Sequence, residues 1–166
     1  LITHYINPPY LVPLVELVPS KQTSKETLDV IEKLLKSVGK RPAILTKEIP
    51  GFISVRLQSA LLREALSLID NGAATADDID IVIKTSLGRR WAVAGIFEVL
   101  DLAGWDVVSN ISRWLFPKLE SSGTLPASLS QKIERKELGV KSGRGFYQWT
   151  PDSAEQLRQR IGKALI

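Results

Sequence analysis

The sequence predicts a mainly α chain, a helical bundle preceded by a short α/β segment. Two observations carry this. β-Branched and apolar strand signals crowd into residues 1–46 and nearly vanish after Pro50. From Pro50 onward, apolar residues recur at helical spacing between capping and glycine signals. The expected boundary divides residues 1–48 from an all-helical domain over 49–166. The first part holds about three strands and one helix, too few to stand alone as a domain.

Residues 1–6 and roughly 13–18 read as short strands. Asn7-Pro8-Pro9 between them cannot continue a ladder, because proline brings no N–H and holds its predecessor extended. A fixed corner is therefore expected there. Ser20 to Ser24 is a polar turn, and Thr23 or Ser24 can cap a helix running to about Val38. Leu28, Ile31, Leu34, Leu35 and Val38 give that helix its apolar stripe, and Gly39 stops it. Arg41 to Thr46 reads as a third strand. This strand–helix–strand order is that of the end of an open α/β sheet.

Pro50-Gly51 opens a long helix over about Phe52 to Asn71. Its apolar residues cover most faces, which places it at the centre of a bundle or at a subunit interface. Thr75 caps a short helix over Asp77 to Thr85, with Asp77 and Asp78 in the first turn. Gly88 to Ala94 is expected to be a loop. Short helices follow near Gly95–Leu102, Trp105–Leu119 and Leu129–Lys136. A Gly- and Lys/Arg-rich loop over Gly139–Gly145 leads to a final amphipathic helix, Pro151–Leu165.

Composition narrows the function classes. A net charge of +4 is compatible with an anionic ligand but far below the bias of a nucleic-acid binder, so no nucleic-acid partner is expected. There is no cysteine and a single histidine, which argues against a zinc site and removes thiol chemistry. Apolar runs fall short of a bilayer span and the start lacks a signal-peptide layout, so a cytoplasmic protein without a membrane partner is expected. Leu1 to Tyr5 reads as a strand with no preceding turn, as though the sequence began inside a larger fold.

The chemistry concentrates in Thr3 to Pro19. His4 is the lone histidine, and Glu16 lies inside the run Leu14-Val15-Glu16-Leu17-Val18. If the two strands fold back antiparallel with positions 4 and 16 opposite, the imidazole and the carboxylate are within cross-strand reach. A one-residue slip would put them on opposite faces. On composition alone a histidine at a strand end is more readily a packed, hydrogen-bonded side chain than a base. A carboxylate among four apolar neighbours is less easily a solvated one.

Several motifs occur in order: H-Y-I-N-P-P, L-V-E-L-V, P-G-F-I-x-x-R-L, E-A-L-x-L-I-x-x-G-x-A, D-D-I-D, G-I-F-E-x-x-D-x-A-G-W-D and G-x-K-S-G-R-G-F-Y. Together they resemble the 3-hydroxyacyl-CoA dehydrogenase family over residues 1–149. The spelling N-P-P-Y-x-x-P-L-V-E-L-V-P is also similar to the gulonate dehydrogenase and lambda-crystallin branch, whose substrates are not CoA esters. The resemblance implies a bundle of the 6-phosphogluconate/3-hydroxyacyl-CoA dehydrogenase C-terminal type, preceded by the end of a Rossmann domain. It implies NAD as cofactor, oxidation of a secondary alcohol to a ketone, a role in fatty-acid β-oxidation, and a homodimer joined through the 52–71 helix. A 3-hydroxyacyl-CoA or related hydroxy acid would be the substrate.

Under that resemblance His4 is the general base and Glu16 fixes its tautomer. Asn7 would bind substrate or hold the corner. The family's Gly-rich fingerprint is expected upstream of Leu1, as is a catalytic serine, since no G-x-G-x-x-G follows a strand here. The family places asparagine directly before the arginine of P-G-F-I-x-N-R, where this chain has Val55. Valine cannot donate a hydrogen bond, and Ser54, about 100° round the helix, is a poor replacement. That favours a sugar-acid or hydroxy-acid dehydrogenase as the alternative. Without its nucleotide-binding half, the chain alone would be inactive, or a dimerisation module whose unpaired strand edges favour self-association. Lys141 and Arg144 read as turn residues in preference to phosphate ligands, Arg56 as an ion-pair or helix-capping residue, Asp80 and Asp101 as capping or domain-packing residues, and the tryptophans as core or interface.

Overall fold

A computed structural model describes all residues, 1–166. The chain is mainly helical with one small sheet. Strands β1 (Ile2–Tyr5), β2 (Leu14–Val18) and β3 (Arg41–Ile44) are ordered β1-β2-β3, with helix α1 (Lys25–Ser37) between β2 and β3 in sequence. β1 pairs antiparallel with β2, and β2 pairs parallel with β3. Central β2 is buried over residues 15–18, apolar but for Glu16. Val15 and Leu17 pack with Leu35, Leu28 and Ile31 of α1. Ser24 caps α1 through the Thr27 amide.

The corner between β1 and β2 is held on several sides. The Asn7–Pro8 peptide is cis. The Pro8 carbonyl accepts from the amides of Leu11 and Val12, both at 3.0 Å. Lys40 Nζ donates to the carbonyls of Pro9 and Val12, fastening the corner to the start of β3.

The remaining helices are α2 (Ser54–Asp70), α3 (Ala76–Val82), α4 (Gly88–Trp91), α5 (Ile96–Ala103), α6 (Trp105–Leu115), α7 (Ala127–Glu134) and α8 (Pro151–Ala164). The chain forms two compact units: residues 1–60 with 149–166, and residues 61–148. The first contains the sheet, α1, the start of α2 and α8. The second contains the rest of α2 and α3 to α7. No helix is long and apolar enough to cross a membrane.

Two elements depart from the sequence expectation. The long helix begins at Ser54, not Phe52, because Gly51 and Phe52 both have left-handed backbone, with φ +77° and +49°. Gly88 to Ala94 is largely helical. A π-helical segment, Ile83–Leu87, runs straight into α4, and the Gly88 amide bonds to the Ile83 carbonyl five residues back. A Cβ on Gly88 would lie 2.9 Å from that carbonyl, so the glycine admits a wide turn rather than opening a loop. Of the two settings expected for α2, a bundle centre is not met within the single chain: only Leu66 of its residues is buried, and Leu57 is 62% exposed. The helix that its composition placed at a bundle centre or an interface has its apolar side largely open in the single chain.

Candidate active site

The site grows from the β1–β2 register. His4 and Glu16 are directly paired positions of the antiparallel ladder, so their side chains share one face of the sheet. His4 Nδ1 lies 2.7 Å from Glu16 Oε2. The fixed corner matters here, because any slip in its length would turn one of the two residues away.

Glu16 is 1% exposed, yet it is a fully partnered carboxylate. The start of α2 supplies most of the partners. Glu16 Oε1 accepts from the amides of Ile53 at 2.8 Å and Ser54 at 2.9 Å. Glu16 Oε2 accepts from Ser54 Oγ at 2.6 Å as well as from His4. These amides are free because the first turn of a helix leaves its N–H groups without internal acceptors. The positive end of the helix dipole adds to the attraction. Burial pushes the Glu16 carboxyl up. The Ser54 hydroxyl, His4 and the two amides outweigh it and bring it down to about 2.

That electrostatic state fixes the imidazole. An ionised carboxylate can only accept, so Nδ1 must donate its hydrogen to Glu16. In neutral His4 the lone pair then sits on Nε2, which has no hydrogen bond within the chain. The His4 side chain is 30% exposed. The Phe52 ring lies 5.3 Å from the imidazole at a 58° tilt and packs against it. The arrangement can take a proton at Nε2 and hold the resulting charge against Glu16.

Of the residues expected at the site, His4 and Glu16 are brought together. Asn7 is exposed on the corner and bonds to neither of them. Val55 is exposed beside Ser54. Arg56 donates to the Pro50 carbonyl at 3.3 Å, closing the turn that precedes α2. Arg144 pairs with Glu137 at 3.3 Å, and Ser142 Oγ takes the Leu138 amide at 2.7 Å, so the Gly139–Gly145 segment is a folded turn. Trp105 Nε1 donates to Asp101, and Asp80 forms an exposed pair with Lys84 at 3.7 Å.

Sequence reasoning weighed Ser54 only as a replacement for the family asparagine and missed its bonds to Glu16, the Ile53 amide and Phe52. The signal was present in Pro50-Gly51: a left-handed turn entering a helix points free amides outward, and a buried acid elsewhere needs donors.

Comparison with known proteins identifies the family. Residues 51–149 match the family model described as 3-hydroxyacyl-CoA dehydrogenase, C-terminal domain. Residues 1–49 match 3-hydroxyacyl-CoA dehydrogenase, NAD binding domain. The chain is 31% identical over 163 residues to 5-formyl-3-hydroxy-2-methylpyridine 4-carboxylate 5-dehydrogenase of Mesorhizobium japonicum, covering 98% of this chain and 53% of that protein. It is 34% identical over 170 residues to a 3-hydroxyacyl-CoA dehydrogenase of Gibberella moniliformis, covering 99% of this chain and 47% of the relative. A crystal structure of a 5-formyl-3-hydroxy-2-methylpyridine 4-carboxylic acid 5-dehydrogenase, an NAD+-dependent dismutase, superposes with a TM-score of 0.94 at 31% identity, covering 98% of this chain and 53% of the other. The chain thus spans about half the length of the curated relatives it matches. The family's cofactor is NAD. The chain belongs to the 3-hydroxyacyl-CoA dehydrogenase family.

Proposed function

We propose that this chain supplies the proton-transfer side of an NAD-dependent oxidation of a secondary alcohol, with His4 as general base and Glu16 as its partner. The observation that carries the reading is the 2.7 Å contact between His4 Nδ1 and a carboxylate held ionised by three further donors. Nε2 accepts the hydroxyl proton, and Glu16 stabilises the imidazolium that forms. NAD, when bound, supplies the hydride acceptor. Residues 1–49 do not fit its phosphates by the usual cradle: the β2–α1 connection, residues 19–24, contains no glycine, and Ser24 is spent capping α1.

A 3-hydroxyacyl-CoA is the first substrate class, supported by the family and by the Gibberella relative's name. A hydroxy acid or other alcohol not linked to CoA is the second. Val55 favours it, because the position before Arg56 cannot donate a hydrogen bond, and the Mesorhizobium relative's name describes a pyridine carboxylate. Asn7, exposed at the corner three residues beyond His4, is proposed to meet the substrate. A homodimer through the open face of α2 and a cytoplasmic setting complete the reading. A panel containing NAD with 3-hydroxybutyryl-CoA and with gulonate, run on the intact protein and on His4→Gln, tests it. Turnover by the parent and its loss in the variant support the base. Equal turnover by both overturns it, and the preferred substrate separates the two classes.

A further inference from the structure

Ser54 gives Glu16 more than a helix-end amide. Its Oγ lies 2.6 Å from Oε2, the oxygen that also takes the proton-bearing Nδ1 of His4 at 2.7 Å. The amides of Ile53 and Ser54 go to the other oxygen. Two donors therefore share one oxygen, and each draws electron density that the other would use. Oε2 is the atom through which Glu16 stabilises a charged imidazole. No water-exposed route competes, since Glu16 is 1% exposed.

We propose that Ser54 is a positioning residue of the His4–Glu16 pair: its hydroxyl weakens the hold of the carboxylate on a protonated imidazole and so sets the pH at which His4 is free to act as a base. This rests on His4 being that base. His4 is met by Glu16 from β2 and by the uncharged Phe52 ring from the turn before α2. Glu16 is met by His4 from β1 and by Ile53 and Ser54 from the start of α2. No other charged side chain bonds to either, so the balance at Oε2 is undisturbed by a third charge. Removing the hydroxyl leaves Oε2 with one donor. The imidazolium is then held more tightly, and the base is freed only at higher pH.

The test follows the carbon-bound imidazole proton signals of His4 by NMR across pH 4 to 9 in the intact protein, identified by their absence in His4→Gln. In Ser54→Ala the titration midpoint is expected to rise by roughly half a unit, a fraction of the worth of one charge-assisted hydrogen bond, because the hydroxyl acts on His4 only through Oε2. Ser54→Thr, which keeps an Oγ, is expected to restore the parent midpoint. Ser54→Gly removes the same hydroxyl and serves if the alanine variant does not fold. A purely structural serine would lower stability and leave the midpoint in place. An unchanged or lower midpoint in the variant lacking the hydroxyl overturns the proposal. The tautomer of the parent, read in the same samples, keeps the two ideas apart. An Nε2–H imidazole removes the base assignment, whereas an Nδ1–H imidazole with an unmoved midpoint removes only the role of Ser54.

Discussion

Ser54, the first residue of α2, donates twice to Glu16: its amide reaches Oε1 at 2.9 Å and its hydroxyl reaches Oε2 at 2.6 Å. A buried acid on the central strand is thereby tied to the end of a helix. The helix start is where the sheet's one buried charge finds its compensation.

Removing that compensation should be costly from either side. Glu16→Ala leaves the Ile53 and Ser54 amides and the Ser54 hydroxyl without acceptors in a closed site. Unfolding titrations should show a loss of about 3 kcal/mol, the scale for breaking a buried charge-assisted network. Turnover with NAD should also fall, by roughly 10² to 10⁴, the usual worth of general-base catalysis. His4→Gln should show the same loss of turnover with much less loss of stability, because His4 is partly exposed.

Glu16 should also imprint itself on acid stability. Its carboxyl is lowered from 4.5 to about 2 in the fold. The stabilisation is thus fully present above the unfolded value, and it is lost as pH falls from about 4.5 through about 2. The whole effect is about 3 kcal/mol, and Glu16→Gln should flatten it. Urea midpoints at pH 7, 4 and 3 would show this. A parent protein as acid-resistant as the glutamine variant would contradict the ionised, fully bonded carboxylate.

Much of this was legible in the chain, for physical reasons that differ by residue. Thr3 to Val18 announced itself because prolines fix a corner and a fixed corner sets register, which brings His4 opposite Glu16. The caps Ser24 and Thr75 were legible because side-chain capping is local. The Ser54 hydroxyl was not, since its partner is 38 residues away and nothing local marks a serine side chain as a donor to a buried acid. Phe52 was read as helical because a left-handed aromatic residue is rare. Its φ of +49° is imposed by the turn it completes. The open face of α2 was half legible: periodicity reveals an apolar surface but not what covers it.

The two left-handed turns allow a matched comparison. Gly51 (φ +77°) and Gly39 (φ +79°) carry nearly the same backbone demand. Alanine at either should cost about 1–2 kcal/mol in thermal or urea unfolding. Around Gly39 nothing lies within 4 Å of an added Cβ, whereas at Gly51 it would meet Arg56 Cγ at 3.3 Å in the turn that aims the Glu16 donors. Gly39→Ala should therefore keep its turnover, and Gly51→Ala should lose part of it. Equal activities would detach the turn from the site.

Leu57, Leu61 and Leu68 are exposed along α2 at helical spacing. If that face joins two copies, Leu61→Lys should shift the intact protein from dimer to monomer in sedimentation velocity. A parent that sediments as a monomer at high concentration would remove this reading.

The assignment of His4 as a base comes down to which ring nitrogen carries the hydrogen. In the intact protein its imidazole nitrogen signals are identified by their absence in His4→Gln, and two-bond nitrogen–proton correlation NMR near pH 8 distinguishes them. Nδ1 should appear protonated and Nε2 bare, with Glu16→Gln abolishing the preference. A neutral imidazole protonated at Nε2 would contradict the assignment, because it would have no lone pair to offer a substrate.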